Sequence, residues 1–355
     1  MLREHRQTVQ YIAPEDYKML SQAELVIIDE AAAIPLPTVR NLLGPYLVFM
    51  SSTINGYEGT GRSLSLKLLD SLRKESTASD DANVGSRSLA ELSLDESIRY
   101  APGCPVEKWL NELLCLDCKI PRADFSLPSP EKCSLYWIDR DVLFSGNKSS
   151  EHFLSELMSL YVASHYKNSP NDLQLLSDAP AHHLFVLCPP ISKDQTRLPV
   201  PLVVVQIALE GQISKESIAS ALRQGDKRSG DMIPWVVTEQ FRQYDFGELS
   251  GARIVRIATH PDFQRSGYGK EALKQLECYY KGQIPLNENY IDPTEEEMET
   301  DLESVGLLKE VIEPKKEMAM MKPLDQRKNE KLDWLGVSFG LTHHLLSFWN
   351  KSGFK

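Results

Sequence analysis

The chain has 355 residues, 42% of them apolar, enough for two ordinary hydrophobic cores, and it carries a net charge of −11 at neutral pH. That acidic balance excludes a surface built as a whole to wrap nucleic acid, because phosphate contacts then need a local cluster of Lys and Arg. Six cysteines with no signal peptide ahead of them argue against a disulfide scaffold and for a reducing compartment, and no apolar run reaches the roughly 20 residues that span a bilayer.

To about Lys74, apolar runs alternate with helix-like stretches: AELVIIDE, PLPTVRNLLG, YLVFMSST and SLSLKLLDSLRK. This is the pattern of a parallel sheet with crossover helices. Asp29 and Glu30 close the first strand, which we expect to be buried on both faces. In a nucleotide-hydrolysing sheet, the first carboxylate at that position holds Mg²⁺ through water and the second orients the attacking water; a helix cap by Asp29 is the structural alternative. The next strand ends in Ser51, Ser52 and Thr53 and runs into GYEGTGRS, one residue from the phosphate loop G-x-x-x-x-G-K-[ST], with Arg62 in the lysine's place. This loop follows the acidic pair instead of preceding it, and a planar guanidinium does not replace a compact ammonium. The economical reading places Ser51 to Thr53 near a γ-phosphate and takes the glycines as a tight turn carrying Tyr57 and Glu58. The residues ahead of AELVIIDE contain no G-x-x-x-x-G-K, so the chain holds half of a nucleotide site.

From Glu75 to about Ser97 the sequence is polar and aperiodic, as in a linker. IRYAPGCPVEKWLNELLCL predicts a loop and an amphipathic helix, and SLYWIDRDVLF a pair of strands. Cys115 and Cys118 form a C-x-x-C to which Cys104 and Cys133 would have to add for a zinc site; buried core thiols are the other reading. A second α/β region opens near Glu151 with the helix HFLSELMSLYVASHY, the strands HHLFVLCP and PLVVVQIALE, and then ARIVRIATHP leading into QRSGYGKEALKQLECYY. ENYIDPTEEEMETDLESVG reads as a solvated acidic insertion. LDWLGVSFGLTHHLLSFWNKSGF adds a strand and a helix, whose His343 and His344 fit packing or solvent better than metal.

Gln264 to Gly269, QRSGYG, fits [QR]-x-x-G-x-[GA] between a strand and a helix. Such a turn makes a pyrophosphate cradle: amides point at the anion, the helix dipole favours its charge, and Gly267 and Gly269 keep Cβ atoms out of the way. A dinucleotide site would need G-x-G-x-x-G, which is absent.

Taken together, DEAAAIPLP, GPYLVFMSSTINGYEGTGRSLSLKL, IRYAPG, ASHYKNSPNDLQLLSDAPAHHLF, SGDMIPW, VRIATHPDFQRSGYGKEAL and DWLGVSFGLT closely resemble the eukaryotic RNA cytidine acetyltransferase family, over nearly the whole chain apart from the polar linker and the acidic insertion. The resemblance implies an α/β chain: part of a P-loop, RecD-like helicase sheet followed by a GNAT acetyltransferase domain. We accordingly expect residues 1–74 to be the C-terminal part of the helicase-like module, 75–97 a flexible linker, 98–145 the end of that module and the connection, and 146–355 the GNAT domain, with the acidic insertion at about 286–330. In that fold the strand before the loop and the next strand, here Arg253 to Thr259 and Leu332 to Phe339, splay apart, and the first offers its amides to pantetheine as an extra strand would.

The implied activity is ATP-dependent transfer of acetyl from acetyl-CoA to N4 of cytidine in small-subunit ribosomal RNA and in certain transfer RNAs, the latter with a THUMP-domain adaptor. Nuclear and nucleolar location and a homo-oligomer are further implications, with no membrane involvement. Acetyl-CoA would lie on Ile257, Ala258 and Thr259 and on Gln264, Arg265, Ser266, Gly267, Tyr268, Gly269 and Lys270, with Lys351 reaching its phosphates. Arg99, in IRYAPG, matches the arginine that reaches ATP, and Asp29 with Glu30 would serve Mg²⁺ and the attacking water. The family's phosphate loop, last acetyltransferase strands and basic RNA-binding tail have no counterpart here, so a fragment or shortened form is expected.

A cytosine amine is a poor nucleophile, so acetylation needs positioning, an oxyanion donor from the pantetheine-binding strand, and removal of a proton. His165, and His182 beside His183, are the candidate bases; a helix-end role is the alternative for His165. Arg256 reads as an RNA-phosphate contact or a salt bridge. Two other functions share the cofactor loop. A protein lysine or N-terminal acetyltransferase leaves the helicase-like half unexplained, and a non-catalytic form would bind acetyl-CoA or partners without turnover.

Overall fold

The computed structural model describes residues 8–52, 69, 72–73, 89–94, 96–121, 128–164, 170–191, 198–225, 230–287 and 319–355. Their contacts fall into two units, residues 1–117 with 165–170 and residues 118–164 with 171–355.

In the first unit, the apolar runs Leu25–Ile28 (β1) and Leu47–Met50 (β2) pair in parallel, Leu25 opposite Leu47 and Ile28 opposite Met50. Between them in the chain lies the helix Leu36–Asn41 (α1), with a proline in its first turn, where a missing N–H costs nothing. Val26, Ile28, Val39 and Leu20 form a small core, whereas Ile27 and Phe49, on the other face, are 70% and 57% exposed. The expectation of a strand buried on both faces is therefore corrected: among the described residues β1 alternates, with one face buried. GYEGTGRS, with Arg62, Tyr57 and Glu58, and also Thr53, lie outside the described residues.

The helix expected after IRYAPG is Pro105–Leu113 (α2). Cys115 follows it with a left-handed φ of 52°, so the C-x-x-C lies past the helix end rather than within a helix. Cys115 and Cys118 are buried and in no disulfide, and no group of three or more His, Cys, Asp or Glu among the described residues is placed to hold a metal.

The second unit is built on a sheet of Ser134–Ile138 (β3), His182–Cys188 (β4), Val203–Gly211 (β5), Ser250–Thr259 (β6), Met321–Pro323 (β7) and Trp334–Val337 (β8), ordered β7-β3-β4-β5-β6-β8. Neighbours run antiparallel except β6 and β8, which are parallel. The sheet thus starts at Ser134, ahead of the boundary expected at 146. It also takes up Met321–Pro323, inside the range expected for the acidic insertion; residues 288–318 lie outside the described part.

SLYWIDRDVLF is corrected from two strands to β3 and a helical turn, Arg140–Leu143 (α3). Asp139 accepts from the amides of Asp141 and Val142 at 3.1 and 3.4 Å, while its other oxygen takes Lys322 Nζ at 3.0 Å. A capping aspartate satisfies the orphan donors of a helix start, which a second strand does not need. The remaining helices are Lys148–Ser164 (α4), Pro170–Asp178 (α5), Lys215–Gln224 (α6), Met232–Phe241 (α7), Tyr268–Tyr280 (α8) and His343–Lys351 (α9). One face of β5 and β6 packs on α4, where Phe153, Leu157 and Leu160 are fully buried. On the opposite face Phe185, Val205 and Ile254 join Leu276 of α8 and Trp349 of α9 in one cluster.

Candidate active site

β6 and β8 are paired only from Gly251 to Ile254, opposite Trp334 to Val337, and the pairing ends there. At that point β6 carries an extra residue: Gln206 of β5 faces Arg256 and Ile207 faces Ile254, so Val255 is a bulge. His260 N–H donates to Leu202 O at 2.9 Å. Because amides alternate sides along a strand, Ala258 turns its N–H toward β5, while Ile257 and Thr259 turn theirs to the side where β8 no longer pairs. An extended chain bearing amides can pair with such an edge as another strand would.

Beyond His260 comes the loop. Arg265 and Gly267 have φ of 64° and 92°, two left-handed residues that turn the chain sharply into α8. The first backbone bond of α8 runs from Glu271 N–H to Gly267 O at 3.0 Å, and among the described residues no carbonyl accepts from the amides of Gly267 through Lys270. Four unsatisfied donors at the positive end of a helix are an anion site of the kind that fits a pyrophosphate. A Cβ at Gly269 would stand 3.2 Å from Thr259 Oγ1 and 3.8 Å from the Phe348 ring, so glycine lets the loop lie against the strand edge. Gln264, Arg265, Ser266 and Lys270 are exposed around these amides, and Tyr268 is buried as their anchor. Lys351 is exposed one turn beyond Phe348.

His165 lies outside the described residues. His182 and His183 open β4 and, as strand neighbours, point to opposite faces. His182 Nδ1 accepts from Gln206 Nε2 at 2.9 Å, and burial, then the cations of Arg253 and Arg140, lower its pKa and keep it neutral. His183 is bound into a separate network. Its Nδ1 accepts from Trp137 Nε1 at 3.3 Å and from Arg327 at 3.2 Å, which leaves the proton on Nε2, 3.7 Å from Glu330. Burial, above all, lowers its pKa from 6.5 to about 4, against the pull of Glu330. In the unfolded chain His183 takes up a proton as pH falls below 6.5, whereas the folded chain resists until about 4, so stability held above 6.5 is lost across that window. We expect the calorimetric melting temperature to fall between those pH values, and to fall less in a His183→Gln variant. An identical slope in the variant would assign the loss to other groups.

Arg256, beside the bulge, is ion-paired with Asp172 at 2.7 Å and lies over the Tyr161 ring at 5.7 Å, which corrects the RNA-phosphate reading in favour of the salt bridge. Nearby is a pair that sequence reading missed. Arg253 Nε donates to Glu210 Oε1 at 2.5 Å, and the other Glu210 oxygen accepts the Ile233 amide of α7 at 3.0 Å.

In the first unit the acidic pair follows β1 directly, with Glu30 left-handed at φ 49°. Ser51, directly after β2, donates its hydroxyl to Asp29 Oδ1, and backbone bonds tie Ser51 N–H to Ile28 O at 3.0 Å and Ala31 N–H to Ser51 O at 2.9 Å. The serine and the aspartate at neighbouring strand ends are thus brought together, as expected. No side chain caps the turn Ala31–Ala33, so the cap reading of Asp29 is not what forms here. Arg99 is exposed in a bend.

Residues 156–355 match the family model described as GNAT acetyltransferase 2, and residues 1–117 the one described as RNA cytidine acetyltransferase NAT10/TcmA, helicase domain. The chain is 58% identical to the RNA cytidine acetyltransferase of Mus musculus, with 100% of this chain and 36% of that protein covered. It is 51% identical to that of Saccharomyces cerevisiae, covering 99% of this chain and 36% of the relative. The chain therefore spans about a third of the length of these curated relatives. Among solved structures, an aminoglycoside acetyltransferase from an uncultured soil metagenomic sample aligns with 53% of this chain and 98% of its own at 12% identity, but its TM-score of 0.24 is too low to bear on the fold.

Proposed function

The chain belongs to the GNAT acetyltransferase 2 family and, by the relatives it matches, to the RNA cytidine acetyltransferases, and from that premise we propose that it takes part in acetylating cytidine N4 in RNA. The observation that carries the reading is the open edge of β6 leading directly into four unsatisfied amides at the start of α8. Bound there, acetyl-CoA supplies the activated acetyl thioester. Ile257 and Thr259 offer N–H groups along the edge, one of which can stabilise an oxyanion, and Gly267 to Lys270 receive the pyrophosphate. His165 or His182 accepts the proton of the attacking amine; burial holds His182 neutral, and its acceptor nitrogen Nδ1 must give up the Gln206 Nε2–H to take that proton. In the first unit, Asp29, oriented by Ser51, and Glu30 serve ATP with Mg²⁺, with Arg99 as a charge partner.

The same reading extends to ribosomal and transfer RNA as substrates, a THUMP-domain adaptor for the latter, a homo-oligomer, and a nuclear and nucleolar setting. The test is incubation of the purified chain with isotopically labelled acetyl-CoA, ATP and Mg²⁺ and a cytidine-rich small-subunit ribosomal RNA helix, with digestion to nucleosides and mass spectrometry. Labelled N4-acetylcytidine is the expected product. Label on protein lysines and none on RNA would replace the reading with a protein acetyltransferase. Acetyl-CoA binding with no transfer would leave the non-catalytic form.

A further inference from the structure

Three side chains around the cofactor loop reach back to backbone far upstream in the chain. His260, just past β6, has Nε2 2.8 Å from Pro121 O, and since its Nδ1 accepts from Asp262 N–H at 3.3 Å, Nε2 carries the proton and donates. Tyr268, the first residue of α8, donates its hydroxyl to Pro128 O at 2.7 Å. Gln275, two turns further on, donates Nε2 to Cys133 O and accepts Leu135 N–H on Oε1, both at 2.8 Å. The sequence separations are 139, 140, 142 and 140 residues, so Pro121 and the stretch Pro128 to Leu135 meet the loop and helix in the same chain order. Pro130 completes the fit: a Cβ added at Gly267 would be 3.5 Å from its Cγ.

None of these three side chains is part of the anion site. The Tyr268 ring sits in the core beside Phe263, with centroids 6.2 Å apart, and His260 is fully buried. What they hold is direction. A loop with two left-handed residues aims four amides at one point only while something outside it fixes its path.

We propose that His260, Tyr268 and Gln275 are positioning residues that fasten the cofactor loop to the backbone of Pro121 and Pro128–Leu135, and that this strap sets affinity for the pyrophosphate part of the ligand. The inference rests on the acetyl-CoA reading above. Tyr268→Phe keeps the ring in its pocket and deletes the hydroxyl alone; Gln275→Met keeps the length and deletes both bonds to the upstream backbone, together with the bond from Nε2 to Glu271 Oε1 at 2.9 Å within α8. Each variant of the full chain, and the pair combined, is titrated with acetyl-CoA and with S-acetylpantetheine, which lacks the pyrophosphate and nucleotide. Each single change should weaken acetyl-CoA about fivefold and the pair about twentyfold, with S-acetylpantetheine unchanged. Equal acetyl-CoA affinity in variants and parent would overturn the proposal, as would parallel loss of both ligands, which marks general loosening of the fold. If the parent binds S-acetylpantetheine but no acetyl-CoA, the cradle is misassigned; if it binds neither, the acetyl-CoA reading itself falls.

Discussion

Replacing Gly267 with glutamate is expected to abolish acetyl-CoA binding in a calorimetric titration that the parent chain passes. Gly267 has φ of 92°, where any side chain is strained, and its amide begins the run of four without an acceptor. A carboxylate placed there takes the position of the ligand's own anion. Two or more charge-assisted hydrogen bonds, at about 1.5–3 kcal/mol each, would go, which is about a hundredfold or more in affinity. Gly267 is exposed and a Cβ there meets only Pro130 Cγ at 3.5 Å, so the variant should still fold, with a melting temperature lowered by the strain of a side chain at that φ. Retained tight binding would show that the pyrophosphate lies elsewhere.

The second large effect is on stability. Glu210 is 2% exposed at its side chain and its partner Arg253 15%, and the same carboxylate also receives the first turn of α7 through Ile233 N–H. Removing one member of such a pair leaves the other charge buried without compensation, and costs about 3–5 kcal/mol. Glu210→Ala should show this loss in urea unfolding at neutral pH. Glu210→Gln, which still accepts from the Ile233 amide, should recover part of it. Wild-type stability in the alanine variant would mean that Arg253 finds water or another partner when Glu210 is gone.

The parts of the site that were legible in the sequence are those whose chemistry demands particular residue types at fixed spacing. QRSGYG between an apolar strand and an amphipathic helix announces an anion cradle because only glycine permits that turn, and Asp29 and Ser51 lie at the ends of two apolar runs that a parallel sheet must bring side by side. Other parts left no local mark. Asp139 caps a helix where SLYWIDRDVLF looks continuously strand-like, since a cap is one residue and a strand pattern is many. β7 is three residues, too short for any period, and it belongs to the sheet because Tyr136 and Pro323 meet across 187 residues of chain. His183 reads as an available base in the sequence, but Arg327, 144 residues away, occupies its Nδ1. The strap was invisible for a different reason: its acceptors at Pro121, Pro128 and Cys133 are carbonyls, which every residue has.

Val255 has a consequence of another kind. Before it, Ser250 turns its carbonyl to the β8 side, where Asp333 N–H meets it at 2.7 Å; after it, the odd-numbered residues face that way. The bulge takes up the extra residue as splicing takes out an intron, so that Ile254 and Arg256 still face consecutive residues of β5. Upstream, one set of backbone groups is spelled out to the sheet; downstream, the complementary set is spelled out to whatever approaches the edge. Changing the identity of Val255 leaves that grammar intact, and so would deleting it: Arg256 would then follow Ile254 in a regular ladder, with the amides of Ile257 and Thr259 still turned outward, but without the bend and added twist that a bulge brings to the point where β8 stops pairing. At this position the extra residue shapes the strand where its edge opens and leaves unchanged which amides that edge offers.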